Sequence, residues 1–282
     1  MHVREALREV GVTPWSRDHS ISYDVLAPID PSAGSQPRPA RPLVSCLMVT
    51  RGDTGLSRYA IDSYARQTWR ERELVVTTTS GNGEAIRELL LARGIQNATI
   101  FVVSPELSLG DLRNMAVARA KGDILMPWDD DDLSDPQRIE TSVTVMLRTG
   151  AAAAFLSRLL LWWPERECAA ITNRRYWEGT MAVWREHARV SPALPQWEDT
   201  PVMEAIISAH PIARIDAPLL YVYTVTGANT GHALRFEAYF DAAERRFDGE
   251  NYHQLVAMLS GRMPILEYGA FLRERRQSAQ PS

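Results

Sequence analysis

Apolar strands and amphipathic helices alternate along residues 43–128, and this alternation constrains the fold more than any other feature. The runs "LVSCLMV", "ELVVTTT", "ATIFVVS" and "DILMPW" have the length of strands, and their continuous apolar character is typical of strands buried in a parallel sheet. Between them, "LSRYAIDSYARQ", "EAIRELLLAR" and "DLRNMAVARA" carry apolar residues at helical spacing. This order predicts βαβ units and therefore an α/β fold with a mainly parallel sheet flanked by helices.

Composition indicates an ordinary globular protein. Of its 282 residues, 45% are hydrophobic and 23% charged, and the net charge of −4 gives no sign of a nucleic-acid binder. Cys46 and Cys168 are far apart, which predicts a reducing compartment and no disulfide framework. The most apolar stretch, 151–163, contains Arg158 and is shorter than the roughly 20 residues of a membrane span. The N-terminus lacks the apolar region of a signal peptide, so we expect a soluble, cytoplasmic protein.

The stretch "MPWDDDDLSDP" places four aspartates, 129–132, directly after the fourth predicted strand. Four adjacent carboxylates repel one another, so they either lie in a solvated turn or hold a cation. Ligands bind at the carboxyl ends of strands in open α/β sheets, and carboxylate oxygens suit Mg²⁺ or Mn²⁺. This position favours a site. Asp135 and Pro136 have a separate use, since the pair is typical of a helix N-cap and first helical residue.

The ordered set "VSCLMVTRGD", "SYARQTW", "ELVV" and "LGDLRNMAVARAKGDILMPWDDDD" resembles the start of a glycosyltransferase family 2 enzyme with the GT-A fold. The resemblance covers about residues 43–240. It implies an inverting transferase in which Asp129 and Asp131 hold Mn²⁺ or Mg²⁺ against the diphosphate of a nucleotide-sugar, with Asp130 beside them. It also suggests that residues 43–135 form a donor half and 136–240 an acceptor half.

Outside residues 43–240, the sequence predicts two flanking segments. Residues 28–42 hold five prolines, so we expect residues 1–42 to be an appendage and connector. Residues 241–282 are expected to form covering helices that end in a loose basic tail, "LRERRQ". A helical apolar stripe is predicted at Phe236, Tyr239, Phe240, Ala243 and Phe247.

The resemblance also implies donor-binding residues. Thr78 and Thr79 stand where the family usually has acidic residues that contact the base, which leaves a uridine donor in question. Ser63, Gln67 and Thr68 in "SYARQTW" match the family but are interpreted as structural. The implied donor-binding residues are Thr50, Arg51, Thr78, Thr79, Arg113 and Asp130.

On the acceptor side, "LPQWEDTPVMEAII" places Glu198 and Asp199 before a helix that starts at Thr200. The family carries such a pair, so the resemblance implies Asp199 as general base and Glu198 as an orienting group. A structural alternative is that one carboxylate only stabilises the helix N-terminus. Gly179 and Trp197 are the expected acceptor-binding residues.

His232 lies where several family members bring a histidine toward the metal or the diphosphate. It is therefore a candidate metal ligand. The alternative is an ordinary loop histidine, and the sequence does not decide between the two.

Two other functions remain open. A metal-dependent nucleotidyltransferase would need a glycine- and lysine-rich loop after the first strand, and "TRGDTG" has no lysine. A nucleotide-sugar-binding module without catalysis is the other alternative, and the intact Asp129, Asp131 and Asp199 disfavour it. The acceptor is open between sugar, lipid-linked, peptide and small-metabolite classes. A polysaccharide synthase is not expected, because no membrane span is predicted.

Overall fold

The computed structural model describes residues 3–12, 22–26, 38–79, 81, 83–229 and 233–279. The described strands are β1 (Ser22–Leu26), β2 (Val44–Thr50), β3 (Arg72–Thr78), β4 (Ala98–Val102), β5 (Ile124–Pro127), β6 (Leu133–Ser134), β7 (Ala153–Leu156), β8 (Leu160–Trp163), β9 (Cys168–Ile171), β10 (Ala182–Trp184), β11 (Ile212–Asp216), β12 (Tyr221–Thr224) and β13 (Arg245–Phe247). The described helices are α1 (Val3–Glu9), α2 (Thr54–Ala65), α3 (Gly83–Ala92), α4 (Leu109–Arg119), α5 (Arg138–Thr149), α6 (Thr200–Ala209), α7 (Ala233–Asp241), α8 (Gly249–Ser260) and α9 (Ile265–Ala279).

The larger of two sheets has the strand order β1-β11-β7-β10-β5-β2-β3-β4. The four strands predicted from the alternating pattern, β2 to β5, are all present and pair in parallel. Strand β10 is antiparallel to both of its neighbours. The predicted α/β fold with a mainly parallel sheet is therefore confirmed, and β2, β3 and β5 end together at one edge.

A second sheet has the strand order β13-β9-β8-β12-β6. Its apolar side chains share a core cluster with residues from α1, α8 and α9, including Leu7, Leu255 and Tyr268. Strand β12 pairs with β6, which directly follows the aspartates. The second sheet therefore holds the end of the aspartate loop in place.

Several local expectations are corrected by the structure. Helix α1 packs on α8 and β1 pairs with β11, so these parts of residues 1–42 belong to the folded unit. The basic residues of "LRERRQ" lie within α9, where Arg275 pairs with Asp53, so the expected loose tail is helical as far as Ala279. Phe247 leaves the predicted helical stripe, because α7 ends at Asp241 and Phe247 lies in β13.

Asp135 is not the N-cap of α5. The helix begins at Arg138 with Gln137 in the N-cap position. The Asp135 side chain is fully buried, accepts the Gln137 N–H at 2.9 Å and pairs with Arg262 between α8 and α9. A charged partner from the C-terminal helices thus replaces the predicted capping role.

The interpretation of "SYARQTW" as structural agrees with the contacts. The Gln67 amide donates to the carbonyls of Ser63 at 3.0 Å and Asp135 at 2.8 Å, and its oxygen accepts the Ile139 N–H.

Both cysteines are free thiols. Within the described ranges, no helix combines the length and the apolar character that crossing a membrane requires.

Candidate active site

The aspartate loop, residues 129–132, follows β5 at the common edge of β2, β3 and β5. Asp132 is the anchor of this loop, because its carboxylate accepts the Thr224 N–H at 2.7 Å and the Tyr221 hydroxyl at 2.5 Å. Its side chain is buried, with 5% exposure. Both oxygens of Asp132 are therefore committed to β12, and Asp132 is a structural member of the run.

The other aspartates have fewer partners. Asp129 accepts from Arg113 Nη2 at 3.4 Å and contacts the Tyr221 hydroxyl at 3.1 Å. Asp131 accepts from the Asn229 amide at 2.8 Å. Asp130 accepts a long bond of 3.4 Å from the Ser57 hydroxyl. Each of these carboxylates keeps lone pairs for a further ligand.

The loop concentrates negative charge. Burial raises the pKa of Asp131 well above its ordinary value, and the charges of Asp132, Asp130 and Asp129 raise it further. Burial also raises the pKa of Asp130 to about 6, although a hydrogen bond from Thr50 opposes the change. Among the described residues, the ion pair between Asp129 and Arg113 is the only one this loop makes. The negative charge of the loop is thus only partly balanced by a nearby cation.

Arg138 is the second cation near the loop. Its buried guanidinium stacks on the rings of Trp128 and Tyr221, at 4.9 and 4.5 Å from the centroids. It donates to the carbonyl of Gly179 at 2.8 Å. Burial raises the pKa of Asp132 well above its ordinary value, and the charge of Arg138 only partly opposes this. This interior arginine was not predicted, because its position in α5 signals only a helical charge.

Arg113 connects the two halves of the site. Its Nε donates to Glu198 Oε1 at 2.5 Å, while Nη2 reaches Asp129. Burial lowers its pKa, but Asp129, Glu198 and Asp199 raise it more, so its net pKa lies above the ordinary value. The sequence predicted a donor contact for Arg113, and that role remains a prediction. The structure adds a link between carboxylates 69 residues apart, at positions 129 and 198.

Asp199 stands at the N-terminus of α6 and is the freer of its pair. Its side chain makes no capping hydrogen bond, which disfavours the purely structural alternative. Burial raises its pKa to about 6; Arg113 opposes this, and the charges of Glu198, Glu178 and Asp129 add to it. Glu198, by contrast, is buried and paired with Arg113. Asp199 therefore has the properties of an ionisable group held ready for proton transfer.

Residues 52–185 match the sequence model of glycosyl transferase family 2. The sequence of this stretch is thus that of a family 2 glycosyltransferase. No curated protein matches the chain in sequence. The domain match and the fold identify the protein as a glycosyltransferase.

Solved structures share the GT-A fold at low sequence identity. The chain resembles residues 1–349 of S. aureus TarS in complex with UDP-GlcNAc, with a TM-score of 0.54, 16% identity and coverage of 77% of this chain and 71% of that one. It also resembles the mannosyltransferase PcManGT from Pyrobaculum calidifontis in complex with GDP-Man and Mn²⁺, with a TM-score of 0.54, 16% identity and coverage of 99% and 83%. GalNAc-T7 with UDP, GalNAc and Mn²⁺ gives a TM-score of 0.51, 13% identity and coverage of 66% and 44%.

The predicted donor residues of this glycosyltransferase lie at the strand ends. Thr50 and Thr78 are the last residues of β2 and β3, and both are buried. The Thr50 hydroxyl accepts the Gly52 N–H at 3.0 Å and lies 3.2 Å from the Ser57 hydroxyl. Arg51 is exposed and Thr79 is half-buried just beyond the strands. These positions agree with a donor edge, while the contacts themselves remain predictions.

The predicted acceptor residues differ in their surroundings. A Cβ atom built on Gly179 would lie 2.9 Å from Asp129 Oδ2, so a larger residue there would require this carboxylate to shift. Trp197 is 55% exposed and its ring lies 4.2 Å from the Arg235 guanidinium. His232 lies outside the described residues.

A cavity between α4 and α6 opens beside the proposed base. Arg113, Glu178 and Asp199 line it together with apolar side chains from β5, β10 and both helices. Its walls are mostly apolar. Space next to Asp199 is thus available for part of a bound substrate.

The carboxylates of the aspartate loop fit a divalent cation only when further ligands come from a bound substrate. Among the described residues, no three or more His, Cys, Asp or Glu side chains are grouped so that they could hold a metal ion. Asp129 and Asp131 supply hard oxygen ligands in a loop whose negative charge is only partly balanced, which fits Mg²⁺ or Mn²⁺ when further oxygens come from a phosphate group.

Proposed function

We propose that this glycosyltransferase moves a sugar from a nucleotide-sugar donor to an acceptor with inversion, and that it depends on a divalent cation. The observation that carries the proposal is the connection of Asp129 to Glu198 through Arg113. It places an undercompensated carboxylate cluster and a freer carboxylate, Asp199, around one guanidinium. These are the two groups that such a transfer needs: one for the leaving diphosphate and one for the incoming proton.

The donor is proposed to bind at the ends of β2, β3 and β5. Related folds carry UDP, UDP-GlcNAc and GDP-Man in their complexes, which supports a nucleotide-sugar here without selecting the base. The proposed donor contacts are Thr50, Arg51, Thr78, Thr79, Arg113 and Asp130.

Asp129 and Asp131 are the proposed holders of Mn²⁺ or Mg²⁺, with His232 as a further candidate. When bound, the cation would supply positive charge against the leaving diphosphate. Two related folds are Mn²⁺ complexes, which supports this choice of ion.

Asp199 is the proposed general base. It removes the proton from the acceptor group as the acceptor atom bonds to the anomeric carbon, and the bond from that carbon to the diphosphate oxygen breaks. The electron pair leaves with the nucleoside diphosphate. A pKa of about 6 keeps Asp199 mostly ionised at neutral pH while making it more basic than an ordinary aspartate. Gly179 and Trp197 are proposed to contact the acceptor, whose class remains open, and a cytoplasmic location remains a prediction.

A donor panel tests the function. The protein is incubated with UDP-linked and GDP-linked sugars, with and without Mn²⁺, and nucleotide release and thermal shift are measured. We expect Mn²⁺-dependent release from at least one donor. Transfer of nucleotide instead of sugar would support the nucleotidyltransferase, and binding without release at any tested acceptor would support the non-catalytic module.

A further inference from the structure

The segment that leads to Asp199 is fastened to helix α4 by an asparagine. The Asn114 amide donates to the Ser191 carbonyl at 2.8 Å and accepts the Ser191 N–H at 2.8 Å. One side chain thus satisfies both backbone groups of one residue, as a neighbouring strand would. Such a two-way bond fixes the position of the backbone at residue 191.

Gly110 provides a second contact, one turn earlier in α4. A Cβ atom built on Gly110 would lie 1.8 Å from the Pro192 carbonyl oxygen, so the segment rests directly on the helix backbone. The Gly110 N–H, which has no partner within the first turn of a helix, donates to the Leu194 carbonyl at 3.2 Å. Glycine is less favourable than alanine in a helix, and this close approach gives a reason for it.

The segment is also held at its far end. Arg113, between Gly110 and Asn114 on the same helix, pairs with Glu198. Trp197 has a φ of 64°, a left-handed conformation that is strained for a residue with a side chain. A strained residue persists when its surroundings fix the chain on both sides. Residues 191–198 are therefore held against α4 at both ends.

We infer that Asn114 and Gly110 are positioning residues for Asp199, acting through the segment 191–198. This inference rests on the proposed role of Asp199 as base. A base must stand within hydrogen-bonding reach of the proton it removes, and a displacement of about 1 Å can lower turnover about 10²-fold. Arg113 links this segment to the aspartate loop, and we expect release of the segment to affect the chemical step more than donor binding.

Asn114→Ala tests the inference in two ways. Hydrogen–deuterium exchange of the peptide covering residues 186–199 should become about 10-fold faster, because two hydrogen bonds are lost. With UDP-GlcNAc or GDP-mannose and Mn²⁺, whichever the parent protein cleaves, kcat for nucleotide release should fall about 10-fold or more while the donor KM stays within about threefold. Asn97→Ala is the matched control, since Asn97 also bonds a backbone carbonyl, that of Arg72, away from this segment.

Gly110→Ala provides an independent change at the same segment. The added methyl must displace Pro192, so the same fall in kcat and the same faster exchange are expected. Gly261→Ala is its control, because the nearest atom to a Cβ there is 4.0 Å away and φ is −68°. Faster exchange and lower kcat in both variants support the inference. Unchanged exchange, unchanged kcat, or a loss confined to donor KM would overturn it.

Asp199→Asn distinguishes a failure of the positioning inference from a failure of the proposed base. If Asp199→Asn abolishes turnover while Asn114→Ala and Gly110→Ala keep it, the positioning inference is wrong and the base assignment stands. Normal turnover in Asp199→Asn would overturn both.

Discussion

The two acidic clusters of the site, the aspartate loop and the Glu198–Asp199 pair, share one design and differ in how their charge is balanced. In each cluster one buried carboxylate is held by a named partner: Asp132 by Thr224 and Tyr221, and Glu198 by Arg113. A neighbouring carboxylate is left with fewer bonds, Asp131 in one cluster and Asp199 in the other. The bonded acid fixes the backbone, and its neighbour stays available.

The balance of charge separates their tasks. Arg113 is shared between Glu198 and Asp129, so the pair has a direct cationic partner whereas most of the loop does not. Burial and mutual repulsion raise the pKa of Asp131 well above its ordinary value. A cluster of this kind is stabilised by an added cation, while a base with a pKa of about 6 is ready to take a proton. The comparison therefore supports the proposal that the cation binds at one cluster and the proton is taken up at the other.

The largest expected effect tests the cation. Asp131→Ala removes one of the two proposed carboxylate ligands, so Mn²⁺-dependent binding of UDP or GDP should be lost in calorimetric titration. Asp241→Ala, at a largely exposed carboxylate on α7, is the control and should bind as the parent does. If the variant titrates like the parent, the loop is not the metal site.

The next effect tests the base. Asp199→Asn keeps the shape of the side chain and removes its basicity, so turnover should fall about 10²- to 10⁴-fold, the usual contribution of a general base. Donor affinity, measured by calorimetry with Mn²⁺, should stay within a few-fold. Loss of donor binding instead would place Asp199 in the donor pocket and contradict the division between the clusters.

A smaller effect is expected from Asn229→Ala. The Asn229 amide donates to Asp131 Oδ2 and to the Thr224 carbonyl, so it orients the proposed ligand. Loss of a group that orients a metal ligand typically lowers affinity about 10- to 100-fold, and we expect Mn²⁺ affinity to fall within that range. Asn97→Ala should leave it unchanged. An unaltered Mn²⁺ titration in Asn229→Ala would show that Asp131 needs no orienting partner.

The sequence predicted the position of the aspartate loop better than it predicted the groups that hold the loop in place. Strands β2 to β5 carry continuous apolar runs, so the position of the aspartates at a strand end followed from local pattern alone. The groups that organise them come from far along the chain: Thr224 is 92 residues from Asp132, and Tyr268 donates its hydroxyl to the Asp131 carbonyl across 137 residues. The local hydrophobic periodicity of the sequence does not indicate such long-range contacts.

Local pattern also misassigned residues whose partners are distant. Asp135 has the signature of a helix cap, but its pairing with Arg262 decides its position. Phe247 fits a helical stripe, but pairing of β13 with β9 places it in a strand. Asn114 lies in the run "LGDLRNMAVARAKGDILMPWDDDD", which indicated only the family resemblance, because Ser191, the partner of Asn114, lies 77 residues away.

The smallest expected effect is on stability, and its sign separates Asp199 from Glu198. The pKa of Asp199 is about 6 in the folded protein and 3.8 for an ordinary aspartate. Between about pH 4 and 6 the folded state therefore binds more protons than the unfolded state, so Asp199 lowers the free energy of unfolding as pH rises through that window. Asp199→Asn removes this cost and should raise the free energy of unfolding by about 1–3 kcal/mol above pH 6, with the gain vanishing toward pH 4.

Glu198→Gln should do the reverse at neutral pH, because it breaks a buried ion pair and leaves Arg113 with less negative charge. Urea unfolding of the parent and both variants at pH 4.5, 6 and 7.5 measures the two effects without donor or metal. Since the aspartate loop is unchanged in all three proteins, the differences between them report on positions 198 and 199 together with their coupling to Asp129 through Arg113. If Asp199→Asn were destabilising at pH 7.5, its carboxylate would be a structural partner like Glu198, and the distinction between a bonded acid and an available one would fail in this cluster.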